Sequence, residues 1–124
     1  MEKEFCSVKD NIKYAGTHLI VELWNGINFS SLPKIREILV EAAKACRATV
    51  LKTNLHKFSP SGGISGVAII QESHISIHTW PEYRYAAIDI FVCGRVDPYK
   101  AIPVIKKGFK PEKIQMSELK RGIF

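Results

Sequence analysis

Within nine consecutive residues, Glu72-Ser73-His74-Ile75-Ser76-Ile77-His78-Thr79-Trp80, the chain sets a serine directly behind a carboxylate and two imidazoles four residues apart. Pro81-Glu82-Tyr83 follows at once. A strand that only supported a core would fill its polar positions with Thr, Lys or Glu. Here they hold a nucleophile, proton-transfer groups and an acid, the side chains of covalent and general acid–base chemistry.

Spacing limits what these groups can do together. On a strand rising ~3.3 Å per residue, His74 and His78 project from one face roughly 13 Å apart, too far to share a metal ion, and no metal site is read here. Ser73 and His78 fall on opposite faces of a regular strand. Acting together, they need a bulge, a strand end or a chain break between them.

A second reactive candidate is Cys93. In Tyr85 to Cys93 the even positions Ala86, Ile88, Ile90 and Val92 are uniformly apolar, while Asp89 and Cys93 share the other face with Tyr85, Ala87 and Phe91. Gly94 directly after the cysteine leaves its thiol room. Cys46, by contrast, falls on the apolar stripe of a helix and reads as core.

The elements that must carry these residues follow from periodicity. Ala15 to Trp24 alternates Leu19, Val21 and Leu23 against His18, Ile20 and Glu22, a strand closed by Asn25-Gly26. Ser31 is a natural N-cap, with Pro33 in the first turn, for a helix bearing Ile35, Ile38, Leu39, Ala42, Ala43 and Cys46 inward to about Ala48. Thr49 to Phe58 and Ile64 to Gln71 read as strands joined by the loop Ser59-Pro60-Ser61-Gly62-Gly63. Ser73 to His78 and Tyr85 to Val92 are further strands around the Trp80-Pro81 corner. A second helix begins after Asp97-Pro98, turns Tyr99, Ile102, Val104 and Ile105 inward and ends near Gly108; Lys113 to Leu119 is a last strand.

This order, with two helices separated by a run of strands, predicts an α+β fold: a two-layer α/β sandwich, its sheet mostly antiparallel, with two helices on one face. The other face is left bare in a monomer, which favours a homodimer. At 124 residues, with 46% apolar and 24% charged side chains, one domain with one core is expected. No apolar segment approaches the ~20 residues of a membrane span, and the N-terminus lacks the apolar run of a signal peptide. Three widely spaced cysteines, Cys6, Cys46 and Cys93, suggest neither a disulfide framework nor structural zinc, and the expected location is cytoplasmic.

The net charge of +6 is concentrated at the C-terminal end, where residues 95–124 hold eight Lys/Arg against three Asp/Glu. Lys100, Lys106, Lys107, Lys110, Lys113, Lys120 and Arg121 lack the aromatic interleaving of a nucleic-acid binder. A solvated helix face is the simpler reading, and no nucleic-acid partner is expected.

Taken together, Gly16-Thr17-His18-Leu19, His56-Lys57-Phe58, Gly63-Ile64-Ser65-Gly66, the stretch from Glu72 to Tyr83, Tyr85-Ala86-Ala87-Ile88-Asp89 and Cys93-Gly94 resemble the prokaryotic S-adenosylmethionine decarboxylases. These are small proenzymes that make their own pyruvoyl cofactor. The resemblance implies cleavage of the Glu72-Ser73 bond into a 1–72 beta chain and a 73–124 alpha chain. Ser73 would attack the Glu72 carbonyl, Ser65 would hydrogen-bond the strained intermediate, and His78 would remove the α-proton of residue 73. A chain cut at residue 73 need not obey strand geometry across the break.

The pyruvoyl group left at position 73 would form a Schiff base with the substrate amine, and Cys93 would return a proton after carbon dioxide leaves. Phe58 would stack on adenine and Glu82 would hold the ribose hydroxyls. The product would be the aminopropyl donor for spermidine synthesis, and the working unit a homodimer of processed pairs. Arg84, beside the implied ribose ligand, motivates the alternative of an arginine or ornithine decarboxylase with the same cofactor. A non-catalytic partner subunit would have no use for Ser73, His78 and Cys93 together.

Overall fold

The structure, a computed structural model, describes the backbone of residues 7–9 and 12–124 and the side chains from residue 13 onward. Cys6 lies outside the described residues. In chain order the elements are β1 (Ser7–Lys9), β2 (Ile12–Trp24), α1 (Leu32–Ala45), β3 (Val50–Lys57), β4 (Ile64–Ile70), β5 (Ser73–Trp80), β6 (Tyr85–Cys93), α2 (Ile102–Phe109) and β7 (Lys113–Ile123). Short 3-10 turns at Pro81–Tyr83 and Pro98–Ala101 precede β6 and α2.

All strand pairs are antiparallel, in the order β1-β2-β6-β5-β4-β3 with β7 also on β2. Period-2 alternation decides the faces. Leu19, Val21 and Leu23 of β2, Ile75 and Ile77 of β5, and Ala86, Ile88, Ile90 and Val92 of β6 are buried. Together with Ile35, Leu39 and Ala42 of α1 and Ile102, Ile105 and Phe109 of α2 they form one core. Both helices therefore cover one sheet face, as the α+β sandwich requires. The opposite face carries His18, Ile20, Glu22, Ser76, Asp89 and Phe91, all only half-buried in the single chain.

Local signals were sound for α1. Ser31 caps it, its hydroxyl accepting from the Lys34 amide at 3.3 Å, and Cys46 is buried at its C-terminus. Elsewhere the structure corrects the expectation. Tyr99 does not turn inward: it sits in the 3-10 turn, is 43% exposed, and its hydroxyl donates to Glu118 of β7. The last strand runs to Ile123 rather than Leu119, because β2 offers a partner edge as far back as Tyr14. The short β1 was not foreseen. The basic residues do not form one helix face: Lys106 and Lys107 lie on α2, whereas Lys113, Lys120 and Arg121 lie on β7.

Candidate active site

The predicted residues gather at two separate ends of the sheet. At the first end β4 and β5 pair Ser65 directly with His78, and Ser65 Oγ and His78 Nδ1 share a hydrogen bond of 3.0 Å whose direction depends on the ring tautomer. Phe58, Ser65, His78, Trp80 and Glu82 line one cavity of about 220 Å³. Trp80, to which the local sequence gives no role, stands 6.2 Å from the His78 ring and 5.4 Å from the Tyr85 ring.

The surrounding chain fixes this end. Just past β3, the Phe58 amide donates to the Gly63 carbonyl at 2.8 Å and the Gly62 amide donates to the Phe58 carbonyl at 2.9 Å, closing the loop that presents the ring. A Cβ on Gly63 would lie 2.9 Å from the Thr79 carbonyl oxygen, so no larger residue fits without displacing β5. Thr79 itself is buried. Its hydroxyl accepts from the Ile64 amide and donates to the Phe29 carbonyl, both at 2.8 Å, tying β4 and the approach to α1 to the strand that carries His78. Glu82 sits in the turn opened by Pro81 and closed by Arg84, which takes the left-handed conformation at φ 51°.

At the other end Glu72 adopts φ 61°, a left-handed backbone that costs a non-glycine residue about 1–2 kcal/mol, immediately before the bond to Ser73. Ser73 Oγ accepts from the Cys93 amide at 3.1 Å. Across from Cys93 the β2 partner is Gly16, where a Cβ would stand 2.4 Å from the Val92 carbonyl oxygen. The half-buried Cys93 lines a cavity of about 750 Å³ with Cys46, Arg47, Arg95 and Lys100. Burial, reinforced by the negative charge of Asp97, pushes the Cys46 thiol up to about 11, so it remains protonated and unreactive there.

The two ends are not brought together within one chain. β5 is unbroken from Ser73 to Trp80 and in continuous register with both neighbours, so no bulge intervenes. Ser73 and His78 thus stand five residues apart, roughly 16 Å along the strand, on opposite sides. The same parity that the sequence exposed as a difficulty holds in the fold.

Further polar pairs on the open face escaped the sequence reading. His18 Nε2 and Asp89 Oδ1 are 2.9 Å apart, and Tyr85 donates to Glu22. Their signal was the β2–β6 register, which sets Glu22 beside Ala87 and Ile20 beside Asp89, and that pairing is not visible locally.

The model of the S-adenosylmethionine decarboxylase family matches residues 17–122, nearly the whole chain. The chain belongs to this family. It is similar to the S-adenosylmethionine decarboxylase proenzyme of Methanococcus maripaludis strain C5, 53% identical over 115 residues that cover 90% of this chain and 93% of the relative. The proenzyme of Thermomicrobium roseum is 42% identical over 113 residues, 90% of this chain and 97% of its own. Among solved structures, the adenosylmethionine decarboxylase of Aquifex aeolicus VF5 has a TM-score of 0.77 at 31% identity, covering 90% of this chain and 93% of that one. The family thus spans β2 to β7, including both ends of the site.

Proposed function

We propose that the chain is a self-processing proenzyme that decarboxylates S-adenosylmethionine with a pyruvoyl group made from its own Ser73. Family membership supports the reaction, and one observation supports the assignment of residues. Ser65 and His78 are hydrogen-bonded in a cavity that also holds Phe58 and Glu82, while the Ser73 hydroxyl is fixed by the Cys93 amide beside a left-handed Glu72.

Processing uses only groups of the chain and water. Ser73 Oγ attacks the Glu72 carbonyl carbon, the peptide C–N bond breaks, and an ester with a free amine at residue 73 results. Ser65 donates to the oxyanion formed on the way. His78 takes the α-proton of residue 73, and the ester C–O bond breaks to release Glu72 as a carboxylate. Water then displaces the nitrogen of the dehydroalanine as ammonia, leaving the pyruvoyl group at the head of chain 73–124.

That serine position fits such a group, since its side chain is held at a strand end by the Cys93 amide, directly after the left-handed Glu72. Once present, the pyruvoyl group supplies an electrophilic carbonyl that accepts the electrons left as carbon dioxide departs. Cys93 returns a proton to the substrate α-carbon. Phe58 offers its ring to adenine, Glu82 accepts from the ribose hydroxyls, and the Trp80 and Phe58 π-faces favour the sulfonium charge.

A distance of roughly 16 Å along β5 prevents His78 from serving the Ser73 of its own chain. On this reading the Ser65–His78 end of one copy has to serve the Ser73–Cys93 end of another, an arrangement that two copies related by a two-fold axis allow. The working unit is accordingly a homodimer with two composite sites. Free Cys46 and Cys93, with an odd cysteine count, support a reducing, cytoplasmic location. Among the described residues no helix is long and apolar enough to cross a membrane. The product serves aminopropyl transfer in spermidine synthesis. Arginine or ornithine decarboxylation draws no support from the relatives, which carry the S-adenosylmethionine decarboxylase name.

Denaturing intact-mass spectrometry of the purified protein, followed by a carbon dioxide release assay, tests this reading. Two chains are expected, 1–72 and 73–124, the second lighter by one ammonia than an N-terminal serine would make it, with turnover of S-adenosylmethionine. An uncut chain that releases no carbon dioxide from S-adenosylmethionine overturns it.

A further inference from the structure

Of the cavity that Cys93 lines, the mechanism above uses only the thiol, yet the rest of the lining is basic. Arg47, Arg95 and Lys100 ring it with one acid, Asp97, whose carboxylate accepts from the Tyr99 amide at 3.0 Å as the cap of the 3-10 turn. All three cations are exposed, and among the described residues none makes an ion pair. Arg47 also adopts φ 61°, a left-handed backbone conformation in which glycine would meet no strain. Three cations against the single carboxylate of Asp97 leave the lining with a net positive charge that a further anion would offset.

A candidate anion is close at hand. Arg47 lies two residues before Thr49, whose carbonyl accepts from the Gln71 amide at 3.2 Å, so the exit of α1 runs beside the β4–β5 turn at Gln71 and Glu72. From the other side the Cys93 amide holds Ser73 Oγ, and Arg95 follows two residues later. The Glu72-Ser73 bond is therefore flanked by the segments that carry the two arginines. Before cleavage Glu72 presents one carboxylate. Release of its ester leaves two, the side chain and a new chain terminus.

We propose that Arg47, Arg95 and Lys100 form a carboxylate-binding site that captures Glu72 when the bond to Ser73 breaks. The inference rests on the self-processing reading. Capture draws the cut terminus away from the pyruvoyl end, leaving room for substrate, and keeps the released carboxylate from standing against the thiol. Two guanidinium forks suit two carboxylates, because each presents paired N–H donors in the geometry a carboxylate accepts.

The test is digestion of the native, processed protein with a broad-specificity carboxypeptidase, read by intact mass of the 1–72 chain. In the parent protein Glu72 resists removal, and added inorganic phosphate, a competing oxyanion, speeds its loss. In Arg47→Gly/Arg95→Ala the terminal residue is trimmed at least tenfold faster, and phosphate adds nothing further. Arg95→Gln alone, on an exposed turn, gives an intermediate rate and guards against a folding defect in the double variant. Equal trimming in parent and variants overturns the proposal while leaving self-processing intact. A parent that is never cut overturns instead the reading beneath it.

Discussion

His78 and Cys93 act at different stages of the proposed chemistry, so their alanine variants part company. His78→Ala blocks or slows the appearance of chains 1–72 and 73–124 in a mass spectrum. Cys93→Ala still permits cleavage but loses turnover by about 10²–10⁴-fold, the usual worth of a positioned proton donor. Equal behaviour of the two variants in both measurements would show that the roles are misassigned. Cys46 supplies a contrast within the same molecule. Its thiol is raised from 9.0 to about 11 by burial first and the Asp97 charge second, so the fold favours the neutral form. That contribution is complete below pH 9 and is lost as pH rises through about 11. Iodoacetamide at pH 8 should therefore label Cys93 and spare Cys46 until the protein unfolds, as peptide mapping would reveal.

Between residue and molecule, the element that governs the site is β5 with its anchors. Thr79→Val removes the one hydroxyl that serves both the Ile64 amide and the Phe29 carbonyl. Leaving those two buried groups unmet costs about 2–4 kcal/mol in urea unfolding. The cavity of Phe58, Ser65, His78 and Glu82 should loosen with it, raising KM more than it lowers kcat. Several features that local pattern specifies were legible beforehand: the alternation of β2 and β6, the Ser31 cap of α1, and the turn of Cys93 away from the most apolar row of its strand. What stayed hidden depends on partners distant in sequence. β7 extends to Ile123 only because β2 runs back to Tyr14, and Tyr99 faces outward only because Glu118 waits on β7. Ser73, His78 and Cys93 stood out by residue type, whereas Phe58 and Ser65 and the roles of all the motif residues came from the resemblance and stand as proposals. Their division between two ends of the sheet was not legible, since the sequence suggested that a broken or bulged β5 would unite Ser73 with His78, and the strand is unbroken and in continuous register.

For the whole molecule, a composite site makes a prediction that a self-contained one does not. Co-expression of Ser73→Ala with His78→Ala pairs an intact Ser73 on one copy with an intact His78 on the other. With random association about half of the His78→Ala chains fall in mixed dimers and should be cut, whereas Ser73→Ala alone stays uncut and His78→Ala alone is cut slowly or not at all. No cleavage in the mixture would place both residues in one protomer. The order of the strands has a further consequence for the life history of the protein. The proposed cut divides the chain so that β2 of the first piece lies between β6 and β7 of the second, while β4 and β5 face each other across the break. Two pieces interleaved in this way are spliced like the fingers of clasped hands, and neither owns a complete sheet. The mature form is then reachable only through its uncut ancestor. Once denatured, it must find its other half by collision, so recovery of activity should fall with dilution, while the uncut precursor refolds at a rate that dilution leaves unchanged.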